Sequence, residues 1–233
     1  MLKDVLQRLQ LGALRYHHAV HVWRRWRRAL IVIVLIAVAG SVPPIRDPIL
    51  RTAGRALVVD EPVVPADVIV VPQWAGAAGA LDAADLVHGG VARRVAVLPE
   101  LPKPADRELT RRGVHYQNET EDLVELLHVL GVPNVEVIAN PAAGTDAEGQ
   151  VLTRWCDQYR FGSIVVVSAS DHSRRVRRVL RRALDGHPTK VLIRSARFSS
   201  FDPDRWWQTH DGIRTGIVEL EKLLLDIARH PIP

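Results

Sequence analysis

The chain has 233 residues, of which 47% are hydrophobic and 24% are charged. These values are typical of a globular protein with one domain of about 150 to 200 residues and an additional segment. They exclude a disordered or collagen-like chain, and the single cysteine, Cys156, excludes an intrachain disulfide framework. Residues 1–28 carry a net charge of +6, so the rest of the chain is nearly neutral at −1. We therefore expect no nucleic-acid partner.

The N-terminal sequence predicts a membrane anchor. Residues 1–28 form a basic leader, and residues 29–42 are an uncharged, mostly apolar run. Because Lys and Arg stay on the cytoplasmic side, we expect a single-pass protein of the cytoplasmic membrane with its N-terminus inside and its domain outside. A helix of 14 residues rises only about 21 Å against about 30 Å of hydrocarbon, so the span requires local thinning of the bilayer.

Two alternatives for the apolar run stay open. Ala37-Val38-Ala39 fits a signal-peptide cleavage site, which would release the domain after about Ala39. The run could also be a buried core helix, although four arginines just before it make this an unusual choice. Residues 43–65 contain five prolines and predict a linker between membrane and domain.

Residues 66–230 predict an α/β domain. Runs of apolar β-formers without polar alternation are typical of parallel strands that are covered on both faces, and five occur, at residues 68–71, 95–98, 135–138, 164–167 and 190–193. Capping boxes at Asn118 with Glu121 and at Thr145 with Glu148 indicate helix starts. A final helix over about residues 213–228 carries Ile217, Leu220, Leu224 and Ile227. The alternation predicts a doubly wound, mostly parallel, five-stranded Rossmann-like sheet that binds ligands beyond the carboxyl ends of its strands.

Several fragments of this domain occur in a distinctive order. They are Ala66-Asp67-Val68-Ile69-Val70-Val71, Glu119-Thr120-Glu121, Leu130-Gly131-Val132-Pro133, Gly144-Thr145-Asp146-Ala147-Glu148, residues 168–175, Trp206-Trp207 and Glu219-Leu220-Glu221-Lys222. Together they resemble the YdcF/SanA/ElyC-like domain of unknown function, a Rossmann-like family of the bacterial cytoplasm and cell envelope. The resemblance implies an envelope location, because the SanA and ElyC branches are membrane-anchored. The family usually has a Gly-rich turn directly after its first strand, whereas here four residues precede Gly76.

The segment from Ser168 to Arg175 is the strongest candidate for a ligand site. It follows the most apolar strand and opens a helix, whose free N–H groups and dipole favour an anion. His172 adds a donor, and so does Arg174 or Arg175; Ser170 lies in the same loop. In the alternative interpretation, Ser170 or Asp171 only caps the helix and His172 is solvated. The six arginines from Arg174 to Arg182 predict a largely solvated helix face.

Other candidates lie in the neighbouring loops. Gly76 and Thr145 are further candidate ligand contacts, and Trp206 and Trp207 either stack on a ligand or plug the end of the sheet as core. Glu119 and His172 form a candidate acid–base pair. We expect no metal site, because the chain has no His-x-x-His or cysteine cluster, and no motif identifies a cofactor.

The sequence therefore predicts a membrane-anchored envelope protein whose exported domain binds a phosphorylated or otherwise anionic ligand. A lipid-linked phosphate intermediate of cell-wall (peptidoglycan) or glycan synthesis fits this location. Two alternatives stay open. One is a hydrolase or transferase that uses Glu119 and His172, and the other is a non-catalytic scaffold that docks an envelope protein through its arginines and tryptophans. No feature identifies a particular protein partner.

Overall fold

The computed structural model describes residues 23, 26, 27, 30, 31, 40–114, 117–139, 141 and 143–231. The chain divides into two compact units, Met1–Leu50 and Arg51–Pro233. Most of the predicted leader, residues 1–28, and of the predicted anchor, residues 29–42, lies outside the described residues. Within the part of the chain that the structure describes, no helix is both long and apolar enough to cross a bilayer.

A helix occupies much of the segment that we expected to be a linker. Helix α1 runs Pro43–Leu57 in spite of its prolines. Pro43 and Pro44 lie at the helix start, where backbone N–H groups have no intrahelical partner, so only Pro48 removes a helical hydrogen bond. Residues 58–66 are irregular.

The second unit contains the predicted parallel sheet. Its strands are β1 (Val68–Pro72), β2 (Val95–Leu98), β3 (Val135–Val137), β4 (Ser163–Ser168) and β5 (Lys190–Ser195). All neighbouring strands are parallel, and their order is β3-β2-β1-β4-β5. In register, Val70 of the central strand pairs with Ala96 on one side and Val166 on the other. The prediction of an α/β, Rossmann-like fold is confirmed.

Helices cover both faces of this sheet. After α1 they are α2 (Gly76–His88), α3 (Pro104–Arg111), α4 (Glu119–Val129), α5 (Thr145–Tyr159), α6 (Ser173–Ala183) and α7 (His210–Arg229). Short 3₁₀ turns occur at Gln73–Ala75, Ser170–His172 and Trp206–Gln208. Ile69 and Val71 share a core with α2 and α4, whereas Val68 and Val70 share one with α5 and α6. Because successive strand residues point to opposite faces, both faces need apolar side chains, which explains the continuous apolar runs.

The structure confirms one of the two predicted capping boxes, and the prediction of the other is wrong. The Asn118 side chain accepts hydrogen bonds from the N–H groups of Thr120 and Glu121, both at 3.0 Å. At α5, however, the N-cap is Gly144, which has a φ of 84° and no side chain to form a cap bond. Thr145 is already helical there, so its hydroxyl and the Glu148 carboxyl are available for other contacts.

The arginines of α6 form ion pairs and not the solvated face that we expected. Arg178 and Arg182 both bind Asp226 of α7, each with a shortest N–O distance of 2.6 Å. Arg177 binds Glu61 at 2.7 Å in the segment that follows α1. These arginines of α6 therefore join the helix to α7 and to the segment that follows α1.

Candidate functional site

A cavity of about 450 Å³ lies at the carboxyl edge of the sheet. The order β3-β2-β1-β4-β5 reverses its direction between β1 and β4, and in open α/β sheets ligands bind at this switch point. Loops that follow β1, β2 and β4 line the cavity, together with the start of α5 and one side of α7. The lining residues are Trp74, Glu100, Gly144, Thr145, Glu148, Ala169, Asp171, His172, Arg175, Glu219 and Lys222.

His172 lies at the centre of the polar wall. The 3₁₀ turn after β4 places its Nδ1 2.9 Å from Oε2 of Glu219 on α7. In the neutral ring, the Nδ1–H donates to this carboxylate, so only Nε2 keeps a lone pair. That lone pair accepts the Arg175 NH2 group at 2.8 Å, and the 3.0 Å contact between NH2 and Nδ1 is therefore not a second hydrogen bond.

Two basic side chains share the same carboxylate. Arg175 on α6 donates from NH1 to the Thr145 hydroxyl at 2.6 Å, and its Nε lies 3.3 Å from Glu219. Lys222 donates to the other Glu219 oxygen at 2.7 Å, one turn along α7. Glu219 is thus the common acceptor of three donors from α6, α7 and the β4 loop.

The electrostatics of Glu219 follow from this network. Burial by itself raises the pKa of its carboxyl, because only 8% of the side chain is exposed. The hydrogen bond from His172 and the contacts with Lys222 and Arg175 outweigh burial and lower the pKa to about 2. Glu219 is therefore ionised at any physiological pH.

Trp74 and Glu148 form the opposite wall of the cavity. The indole Nε1 donates to Oε1 of Glu148 at 2.9 Å, and the indole ring lies 4.4 Å from the His172 ring. Burial raises the pKa of Glu148 more than the Trp74 hydrogen bond and the nearby charges lower it. A buried carboxyl with a raised pKa can donate a proton as well as accept one.

Three groups in this cavity have oxygen or nitrogen atoms close enough to bind a metal ion. Those of Asp171, His172 and Glu219 all lie within 4.8 Å of one another. Burial, however, raises the pKa of Asp171, and Glu219 already accepts from Arg175 and Lys222. A divalent cation would have to displace or approach two fixed positive charges, so the donor set favours an anion over a metal.

The predicted ligand contacts of the β4 loop separate into two groups. His172 and Arg175 face the cavity, and Thr145 joins them from α5. The hydroxyls of Ser168 and Ser170 instead donate to the backbone carbonyls of Ala169 and Phe201, at 2.9 and 3.1 Å.

Arg174 and the tryptophan pair lie away from the cavity. Arg174 donates to the carbonyls of Ala56 and Val58, at 2.9 and 3.2 Å, and so fixes the chain at the end of α1. Trp206 is buried; a Cβ added to Gly216 of α7 would lie 2.4 Å from its ring. Trp207 meets Trp206 edge to face at a centroid distance of 6.3 Å. Trp206 therefore fills core space, in agreement with one of the two interpretations of the sequence.

Gly76 begins α2 with a φ of 53°, and no heavy atom lies within 4 Å of a Cβ added there. This open backbone is not among the residues that line the cavity, because Trp74 of the preceding turn occupies that wall.

Glu119 lies in a second, larger cleft of about 1020 Å³. There it pairs with Lys103 and accepts from the Gln73 amide at 3.0 Å. The hydrogen bond from Lys103 contributes most to lowering the pKa of Glu119, and the one from Gln73 also lowers it. The Glu119 side chain is 57% exposed. Glu100 borders both cavities, but Glu119 lines one of them and His172 the other, so the two side chains are not in contact.

Sequence patterns do not identify Trp74 and Glu148 as site residues. The capping-box pattern accounts for Glu148 without a role in the site, and Trp74 stands out only as an interruption before Gly76. The position of Trp74 directly after the central strand is the signal that could have identified it, because that turn faces the switch point. No protein-family model matches the chain, and no curated protein matches it in sequence. The resemblance to the YdcF/SanA/ElyC-like family stays a prediction.

We expect Glu219→Gln to destabilise the protein in a pH-dependent way. The folded pKa of about 2 lies below the ordinary value of 4.5, so the ionised carboxylate stabilises the fold above about pH 5 and loses this effect as the pH falls towards 2. At neutral pH the free energy of unfolding should fall by roughly 3 kcal/mol relative to the wild type.

Urea denaturation at a series of pH values measures this difference. Asp185→Asn is the control, because this exposed carboxylate makes no ion pair among the described residues. A wild-type-to-variant difference that is as large at about pH 2 as at neutral pH would contradict the assignment.

Proposed function

We propose that the domain binds a phosphorylated or otherwise anionic ligand in the cavity between the ends of β1 and β4. The observation that carries this proposal is Arg175, whose guanidinium lines the cavity while Thr145, His172 and Glu219 fix its orientation. A guanidinium held in place before the ligand arrives loses little side-chain entropy on binding. Arginine also matches the geometry of phosphate and carboxylate oxygens.

The charge balance of the cavity supports an anion. Arg175 and Lys222 bring two positive charges to the cavity, and Glu219 neutralises one of them. The carboxyls of Glu148 and Asp171 have raised pKa values because they are buried, so they carry negative charge less readily than exposed carboxyls. The first turn of α5 adds backbone N–H groups that no cap side chain occupies, next to Gly144 and Thr145.

We further propose that the chain is anchored in the cytoplasmic membrane and that the domain lies outside. The basic leader and the apolar run of residues 29–42 support this part of the proposal. A lipid-linked phosphate intermediate of wall or glycan synthesis would then present its phosphate at the same membrane surface as the domain.

Loss of Arg175 should weaken anion binding. We expect Arg175→Met to weaken binding of inorganic pyrophosphate to the full chain in detergent micelles by at least about tenfold, because charge-assisted hydrogen bonds contribute about 1.5 to 3 kcal/mol. Isothermal titration calorimetry measures the affinity. Arg181→Met is the matched control, since Arg181 lies on the same helix but is exposed and pairs with Glu61 at 3.3 Å. Equal affinities for the two variants would overturn the site, and no binding by the wild type would overturn the proposed function.

The membrane orientation is tested with reporter fusions. A reporter that is active only outside the cytoplasm should be active when fused after Asp60 and inactive when fused after Arg28. Replacing Arg24, Arg25, Arg27 and Arg28 by Gln should lower the activity of the Asp60 fusion. Activity of a cytoplasm-only reporter after Asp60 would overturn the proposed orientation, and a mature chain that begins near residue 40 would replace the anchor by a cleaved signal peptide.

A second candidate function, acid–base catalysis, is favoured by the Glu219–His172 hydrogen bond. A carboxylate that orients an imidazole is the arrangement that general bases use. In this proposal Arg175 turns from Nε2 of His172 to the bound anion, which frees the lone pair to accept a proton, and Glu148 on the opposite wall is a candidate proton donor. In this proposal Glu148 replaces Glu119 as the partner of His172, because Glu119 lies in the other cleft.

Catalysis is tested with a chromogenic phosphate monoester as the probe. If the wild type turns it over, Glu148→Gln should lower kcat by at least about a hundredfold. The Gln side chain keeps the acceptor for Trp74, so pyrophosphate affinity should change little. Glu119→Gln should retain most of the activity. If Glu119→Gln abolished turnover and Glu148→Gln did not, Glu119 and not Glu148 would be the catalytic partner of His172. If the wild type bound pyrophosphate but did not turn over the ester, the catalytic proposal would be wrong and only the binding proposal would stand.

A further inference from the structure

Helix α7 exposes a row of apolar side chains. Its buried side, which includes Gly216, Glu219 and Leu223, packs on the rest of the domain. Next to that side, Ile217 and Leu224 are 55% and 65% exposed. We call the whole row the α7 stripe; it consists of Ile213, Ile217, Leu220, Leu224 and Ile227.

The spacing of the α7 stripe is that of a helix–helix contact. Its members follow one another at intervals of four, three, four and three residues, which is the a/d repeat of a two-stranded coiled coil. A core-facing stripe of this kind is normally buried. Here Leu220 is half-buried and the other four members are exposed, so the surface is available for a second helix.

Two charges lie beside the α7 stripe. Arg214 and Glu221 directly follow Ile213 and Leu220, so they lie on the same flank of the stripe, seven residues apart. At 1.5 Å per residue the two are about 10 Å apart along the helix, too far for a direct ion pair. Neither makes an ion pair with any other described residue.

We infer that the α7 stripe binds the α7 stripe of a second copy of this chain in an antiparallel pair. In this orientation Ile213 meets Leu224 of the second copy and Ile217 meets its Leu220. Arg214 then faces Glu221 of the second copy, and two-fold symmetry forms this pair twice. In a parallel pair the flank that carries Arg214 and Glu221 would face the other flank of the second copy, so the two charges would not meet; only the antiparallel orientation pairs them.

Charge reversal tests the partner. With the full chain in detergent micelles, sedimentation equilibrium should show a wild-type dimer. Arg214→Glu or Glu221→Arg should each raise its dissociation constant by about tenfold, because two attractive pairs become repulsive. An equimolar mixture of the two variants should dimerise as well as the wild type. Arg229→Glu, on the opposite side of α7 in the helical repeat, is the control and should leave the dimer intact.

Cysteine cross-linking tests the orientation. The natural Cys156 is fully buried, so it should not react. In the antiparallel pair, residue 217 of each copy lies about 5 Å from its counterpart along the helix axis, whereas residue 224 lies about 16 Å away. A short thiol-specific cross-linker should therefore join Ile217→Cys chains and not Leu224→Cys chains, although both side chains are exposed.

Three results would overturn the inference. They are a wild type that stays monomeric at every concentration, a dimer that Arg214→Glu leaves unchanged, and equal cross-linking at residues 217 and 224. None of them affects the proposed anion site, because the α7 stripe and the cavity use different sides of the helix.

Discussion

The ionised carboxylate of Glu219 organises the candidate site. It is buried, so its desolvation costs free energy that its hydrogen bonds must offset, and they come from His172, Arg175 and Lys222. These donors lie on separate elements, so α7 must dock on α6 and on the β4 loop before the carboxylate is fully compensated. The folding of the last helix and the geometry of the cavity are therefore one event, and removal of a single donor would leave a buried charge partly unpaired.

The same network gives two carboxyl groups in one small cavity opposite pKa shifts. Glu219 has a pKa of about 2, whereas burial raises the pKa of Glu148 on the facing wall. The difference arises because Glu219 has three charged or polar donors, whereas among the described residues Glu148 has only the indole N–H of Trp74. Groups whose environments move their pKa values apart are the usual starting point for assigning an acid and a base. The Arg175 guanidinium lines the same cavity, in agreement with the proposed binding of an anion.

The sheet was predictable from the sequence because its inner strands β1, β2 and β4 are covered on both faces, and short continuous apolar runs bounded by turns are typical of such strands. The choice between Arg174 and Arg175 was not predictable, since one residue of helix rotates a side chain by about 100° and only the structure shows which one faces the cavity. Thr145 and Glu148 matched a capping pattern, but Gly144 took the cap position, which released both side chains into the site. Contacts such as Glu219 with His172 join residues far apart in the chain, and local patterns contain no information on them.

The 3₁₀ turn Gln73–Ala75 is the partition between the two cavities. Gln73 accepts from the backbone N–H of Glu100 and from the hydroxyl of Thr120 on the side of the larger cleft, at 3.0 and 2.6 Å. Its neighbour Trp74 lines the other cavity, where its ring contacts the His172 ring. In a 3₁₀ helix consecutive side chains diverge by about 120°, so inserting or deleting one residue here would change the direction of the side chains that face each cavity. The length of this turn therefore matters to both cavities at once, whereas a substitution of Gln73 or Trp74 changes the lining of one cavity.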